Sequence, residues 1–182
     1  MLLIELEGRS GLAAPFGAGE LSYDDVVVAD QVRARRITPD DALADYLGGS
    51  GAGHLTGLLR RAGVVDIVVA AAPGLRDLLV LGKIRQLEQR AEADLIVVDA
   101  PAAGHAITFL LAAAGLATTA SSGPVRHQAE QVLAMLGDER RCQVVLVTTP
   151  EETPVTELVE TAFALEDRVG VRLGPVVVNG RW

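Results

Sequence analysis

The stretch Asp94-Leu95-Ile96-Val97-Val98-Asp99-Ala100-Pro101-Ala102-Ala103-Gly104-His105 contains the features that decide the fold. Its apolar run, Leu95–Val98, is rich in valine, which is typical of a strand buried on both faces of a parallel sheet. The carboxylate of Asp99 ends this strand, and a loop with proline and glycine follows at once. Because ligands of parallel α/β sheets bind beyond the carboxyl ends of the strands, Asp99 stands where a ligand site is expected.

Two roles are open for Asp99. A strand-end aspartate can hold the Mg²⁺ of a bound nucleotide, directly or through water. Gly104 would then let the loop backbone approach a phosphate closely, because glycine has no Cβ. Alternatively, Asp99 caps the helix that is predicted to begin near His105. The spacing of these residues alone does not separate the two roles.

Strands and helices are predicted to alternate along the rest of the chain. The predicted strands are Leu2–Leu6, Val26–Ala29, Leu95–Asp99, Gln143–Thr148 and Val176–Val178, with Val32–Ile37 as a further extended segment. The predicted helices start at Thr38, Leu55, Val64, Leu75, His105, Pro124 and Thr153. Thr38 is expected to be the N-cap of the first of them, with Pro39 at its first position. This alternation is typical of an α/β fold with a parallel, doubly wound sheet and flanking helices. No repeat or linker divides the sequence, so we expect one domain over residues 1–182.

Charge and cysteine content argue against several classes of function. The formal net charge of −8 opposes nucleic-acid binding, which needs a basic face. The single cysteine, Cys142, excludes an intrachain disulfide and a cysteine-based zinc site. The longest apolar run, residues 106–117, is shorter than the ~20 residues that cross a bilayer, and Glu5 interrupts the N-terminal apolar run too soon for a signal peptide. We therefore expect a soluble, cytoplasmic protein without a transmembrane segment.

The run from Asp99 to His105 resembles the D-x-A-P-T-G-H segment of the ArsA family. These are the anion-transporting and tail-anchored-protein-targeting ATPases of the MinD-like P-loop class. The resemblance implies a P-loop NTPase-like fold that binds ATP and Mg²⁺. It places Asp99 at the family's Walker B aspartate, which meets the metal through water. It also places Pro101, Gly104 and His105 in the switch that senses the γ-phosphate, although the family's threonine is alanine here.

Other short matches follow in the family's order. The run Val176-Val177-Val178-Asn179 is similar to the late strand whose asparagine reads the adenine edge, a task that suits an amide because it both donates and accepts. The loop around Pro150 resembles the one that lies over the base. Glu7 stands where the family has the aspartate that orients the attacking water. The alternatives are a turn asparagine before Gly180 and a solvated acidic residue at position 7, paired with Glu5.

The family's phosphate loop precedes the strand that begins at Leu2, and the sequence contains nothing like it. A phosphate cradle needs consecutive backbone N–H groups and a lysine. The only lysine, Lys83, lies in a helical pattern, and the glycine run at residues 48–53 has none. We therefore predict that the sheet lacks its first, phosphate-loop strand and that the domain is incomplete at both ends. Without that strand, Leu95–Val98 should present an unpaired apolar edge.

The resemblance implies two functions. In the first, the chain belongs to an ArsA-type ATPase whose ATP binding and hydrolysis drive a dimeric switch coupled to a partner or cargo. The partner subunit would be a second copy or another ArsA-type subunit, and this chain, without a Walker A motif, should be inactive alone. In the alternative, the chain is a catalytically inactive regulatory or structural subunit of such a heterodimer. A partition ATPase of the MinD-like class is a third, weaker option. Residues 106–117 are either a core helix or part of a cargo surface.

Overall fold

A computed structural model describes residues 1–6, 11–49 and 74–180 of the chain. The helices predicted from Leu55 and Val64, and the candidate residue Glu7, lie outside the described residues. Contacts within the backbone divide the chain into two compact units, Met1–Pro101 and Ala102–Trp182. The single domain expected from the sequence stays a prediction.

The first unit is built on a four-stranded mixed sheet with the order β2-β3-β1-β4. Its strands are β1 (Leu2–Leu6), β2 (Val26–Ala29), β3 (Val32–Ile37) and β4 (Ile96–Asp99). Strand β1 runs parallel to both β3 and β4. It is the most protected strand, because all five of its residues are buried.

The prediction of a parallel sheet is wrong for one pair of strands, since β2 and β3 are antiparallel. Only Asp30 and Gln31 connect them, and a parallel pair needs a crossover of a dozen or more residues. Gln31, the second of the two turn residues, adopts a φ of 56°, in the left-handed region that some tight turns use at this position. The sequence did not predict this turn, because the two turn residues include neither glycine nor asparagine.

Among the described residues of the first unit are two α-helices, α1 (Pro39–Gly49) and α2 (Leu75–Gln89), and a 3-10 turn, Ala14–Phe16. The two α-helices pack against each other. The start of α1 confirms the capping predicted from sequence, because the backbone N–H of Asp41 donates to Thr38 Oγ1 at 3.1 Å. Most of α2 is buried from Leu78 onward, which places this helix in the core of the first unit.

The second unit contains three helices, α3 (Ala103–Thr119), α4 (Pro124–Leu136) and α5 (Glu152–Ala164), and α5 continues into a π-helical turn, Leu165–Val169. Its two short strands, β5 (Val147–Thr148) and β6 (Val177–Val178), form a parallel pair. Helix α3 packs against α4 and α5. Phe109, Ala112 and Ala113 of α3 are buried, so the apolar run at residues 106–117 contributes to a core. Within the described residues, no helix is both long and apolar enough to cross a membrane.

Candidate functional site

Asp99 lies at the carboxyl end of β4, as the sequence predicts. It is exposed, and its Cα is paired in register with that of Glu5 on the neighbouring parallel strand. Helix α3 begins at Ala103 after the N-cap residue Ala102, and no side chain makes a capping hydrogen bond there. The alternative in which Asp99 serves as a helix cap is therefore wrong, and its carboxylate is available for another role.

Glu5 has the opposite environment, with 1% of its surface exposed. Arg36 Nε donates to Glu5 Oε1 at 2.8 Å, and the backbone N–H of Leu12 donates to Oε2 at 3.1 Å. These bonds are needed because an unpaired buried carboxylate is costly. Hydrogen bonds to Glu5 and to the exposed Glu20 raise the pKa of Arg36 above its ordinary value. Both oxygens of Glu5 are thus engaged within the protein.

The sequence interpretation missed the role of Glu5, which it treated as one half of a solvated acidic pair with Glu7. The sequence contained a signal for this role, because Glu5 lies inside the otherwise apolar strand Leu2–Leu6. A strand of this composition is expected to be buried, and a carboxylate within it then needs a partner. The partner, Arg36, is distant in sequence and is brought next to Glu5 by the parallel register of β1 and β3. Of the two paired carboxylates, only Asp99 faces solvent.

The second unit brings Pro150 and Asn179 to the same end of its two-stranded sheet. Both follow the carboxyl ends of neighbouring parallel strands, and the backbone N–H of Asn179 donates to the carbonyl of Thr148 at 2.8 Å. The Asn179 Oδ1 accepts from the backbone N–H of Gly180 at 3.0 Å, and Gly180 has a φ of 73°. The asparagine therefore takes part in the turn that the alternative interpretation described, with its side chain at an exposed strand end.

The predicted switch residues lie on either side of the boundary between the units. Pro101 is half-buried and closes the first unit, and Gly104 and His105 are exposed in the first turn of α3. A Cβ added at Gly104 would meet no atom within 4 Å, and its backbone does not need the left-handed region. The protein's own packing therefore gives no reason for a glycine at this position.

Lys83 is not a phosphate-binding lysine. Its side chain is 7% exposed, and Nζ donates to Asp45 Oδ2 at 2.6 Å and to Gln86 Oε1 at 2.9 Å. It also lies over the ring of Tyr23, 5.2 Å from the centroid. The hydrogen bond from Lys83 holds the pKa of Asp45 below its usual value, and burial raises the pKa of Tyr23. Lys83 therefore joins α1 to α2 within the first unit.

Metal binding would depend on few protein ligands. No group of three or more His, Cys, Asp or Glu residues suited to a metal occurs within residues 1–6, 11–49 and 74–180. Mg²⁺ bound to nucleotides typically uses one or two carboxylates together with water and phosphate oxygens. The single exposed carboxylate of Asp99 fits that pattern, whereas it would not suffice for zinc or calcium. Cys142 is half-buried, and burial raises the pKa of its thiol.

The chain is similar to mycobacterial ATPases. It is 35% identical over 191 aligned residues to ATPase BagA of Mycobacterium tuberculosis strain H37Rv, which covers 98% of this chain and 56% of the relative. Proteins of Mycobacterium bovis and of M. tuberculosis strain CDC 1551, whose names also contain the word ATPase, match to the same extent. No protein-family profile matches the sequence. The chain thus spans about half the length of the curated relatives it matches.

Proposed function

We propose that this chain forms the part of an ArsA-type ATPase that carries the Walker B aspartate, the switch loop and the base-binding loops. In this proposal Asp99 holds Mg²⁺ through water, and Pro101, Gly104 and His105 form the switch. Asn179 and the loop at Pro150 meet the adenine, and Glu7 orients the attacking water. ATP binding and hydrolysis then drive a dimeric switch in the cytoplasm, in which the partner is a second copy or a related subunit.

The observation that carries this proposal is the contrast between two carboxylates on adjacent strands. Glu5 is paired with Arg36 and accepts a hydrogen bond from the backbone of Leu12, whereas Asp99 is exposed at the carboxyl end of β4. Phosphoryl transfer depends on positioning and on charges that hold the metal and phosphates. A single exposed aspartate at this edge is suited to that task, and the names of the relatives support the same activity.

The outer edge of β4 supports the proposal that a phosphate-loop strand belongs beside it. In the four-stranded sheet β4 is the terminal strand, and it pairs with β1 on one side. Leu95, just before β4, is 55% exposed and Val97 is 43% exposed, and residues two apart lie on the same face of a sheet. Among the described residues β4 pairs only with β1, so a further parallel strand on its outer edge would satisfy the backbone groups there and lie beside this exposed apolar face.

The alternative of a nucleotide-blind subunit is favoured by one observation. The 182 residues contain no G-x-x-x-x-G-K-[ST] motif, and Lys83 is committed to Asp45. The two functions differ in what happens when the missing element is supplied. An ATPase lacking only its phosphate loop should recover turnover, whereas a regulatory subunit should not.

The test compares phosphate release by this chain alone with release by the chain extended at Met1 with a strand and a phosphate loop. We expect no turnover above background for the chain alone, and Mg²⁺-dependent turnover for the extended protein. Turnover that depends on Asp99 would support the ATPase. ATP binding that is equally tight with and without Asn179→Ala would contradict the proposed adenine contact. A well-folded extended protein without ATP binding would favour the nucleotide-blind subunit.

A further inference from the structure

Helix α5 presents an apolar stripe that is exposed in the part of the chain that the structure describes. Val155 is 43% exposed, Val159 is 44% exposed and Phe163 is 68% exposed. Residues four apart in a helix lie on the same face, one above the other. The three side chains therefore form a continuous row along α5, from its first turn to its last. We refer to Val155, Val159 and Phe163 as the α5 stripe.

The stripe is distinct from the face by which α5 packs. Thr161 is 5% exposed, and Leu165, at the start of the π-helical turn, is 1% exposed. The adjoining row, Pro154, Leu158 and Ala162, is half-buried and marks the border of the packed face. The α5 stripe lies beyond that border, where isolated apolar side chains are common but an ordered row of them is not.

The other side of the stripe is acidic. Glu152 and Glu160 occupy the next row with Thr156 between them, and all three are exposed. Each glutamate lies three residues before a member of the stripe, so the carboxylates lie alongside Val155 and Phe163. Exposed Glu157, Glu166 and Asp167 extend the acidic surface, and Arg168 is the only basic residue between Glu151 and Val169.

The charge pattern selects among possible occupants. A second copy docked through the same helix would bring two acidic rows together, and like charges across an interface are costly. A partner with basic residues beside its apolar side chains would meet complementary charges and cover Phe163, a residue type enriched at interface centres. An amphipathic helix provides both features on one face.

We infer that the α5 stripe is the docking site for a basic amphipathic helix of another protein. The partner helix places apolar side chains on Val155, Val159 and Phe163, and its lysines or arginines lie along Glu152 and Glu160. The charge contacts steer the encounter and fix the orientation, and the apolar row supplies the burial. This inference uses no nucleotide chemistry, so it stands or falls independently of the proposed ATPase.

A labelled synthetic peptide tests the inference by fluorescence anisotropy. The probe is a helical peptide with leucines at four-residue spacing and lysines in the rows beside them, and its matched control has glutamates in place of the lysines. We expect the lysine peptide to bind the chain and to lose about tenfold in affinity with Phe163→Ser. Val27→Ser, at a side chain that is 74% exposed on β2, should leave binding unchanged.

A second variant tests the contribution of the acidic row, Glu152 and Glu160, to binding. Glu160→Lys should weaken binding of the lysine peptide and improve binding of the glutamate peptide. Equal binding of both peptides to the unmodified chain would overturn the inference, as would unchanged binding with Phe163→Ser once circular dichroism shows that this variant is folded. Self-association of the chain that Phe163→Ser abolishes would identify a second copy as the occupant and would also overturn it.

Discussion

Glu5 and Asp99 are in register on adjacent parallel strands, yet Glu5 is buried within the protein whereas Asp99 faces solvent. The difference follows from their places in the sheet, because β1 is flanked by strands on both sides whereas β4 is the terminal strand. Glu5 must therefore be neutralised internally, and Arg36 does so at 2.8 Å. Asp99 keeps a free carboxylate at the edge where ligands of α/β sheets bind.

The first prediction concerns Asp99 in the protein extended with a phosphate loop. Asp99→Asn should keep the fold, because the two side chains are nearly isosteric and the position is exposed. ATP hydrolysis should fall roughly a hundred- to thousand-fold, because the Mg²⁺ site loses a full charge and such a contact is worth ~3–4 kcal/mol. Phosphate release measures the rate, and thermal melting checks the fold. A rate equal to that of the unmodified protein would remove Asp99 from the mechanism.

The second prediction concerns the Glu5–Arg36 pair. Arg36→Met should lower the free energy of unfolding by about 3 kcal/mol, because it leaves the buried carboxylate of Glu5 without its cation. Glu20→Gln is the control, since Glu20 also contacts Arg36 but its side chain is 82% exposed. That change should cost less than about 0.5 kcal/mol. Urea unfolding measures both, and equal effects of the two variants would show that Glu5 is not held by the pair.

The third prediction is that the stability of the folded protein depends on pH through the ionisation of Asp45. Its pKa is lowered in the folded protein, chiefly by the hydrogen bond from Lys83. The carboxylate therefore adds stability above its unfolded pKa of about 3.9, and this stability is lost as the pH falls through the lower, folded value. The melting temperature should fall with acidification in that range, and Asp45→Asn should flatten this part of the profile. An unaltered acid limb in Asp45→Asn would contradict the role assigned to the pair.

The fourth prediction separates packing from ligand approach at Gly104. Gly104→Ala should keep or raise stability by up to about 1 kcal/mol, because the added Cβ meets nothing within 4 Å and alanine favours a helix. In the extended protein the same change should slow ATP hydrolysis, because the backbone approach to the phosphate is obstructed. Gly115→Ala, in the same helix and with equally open surroundings, is the control and should leave turnover unchanged. Unaltered turnover in Gly104→Ala would remove this glycine from the switch.

Local chemistry determined much of the fold from the sequence alone. The valine-rich run before Asp99 forms β4, Thr38 caps α1 as predicted, and Pro124 begins α4 at its first position. Each of these features depends on residues within a few positions of one another, so it can be predicted from the local sequence. The placement of Pro150 and Asn179 at one sheet end also followed, because parallel strands bring their carboxyl ends to the same edge.

Only the tertiary structure decided which charges are buried and which strands run antiparallel. Glu5 is an acidic residue in a short apolar run, and its burial depends on Arg36, which β3 brings beside it in the parallel register with β1. The hairpin of β2 and β3 turns through Gln31, which has a left-handed backbone. Glutamine at this position does not predict that conformation. The sequence determines local conformation directly, but the partner of a buried charge and the direction of a neighbouring strand are set by contacts between residues far apart in the chain.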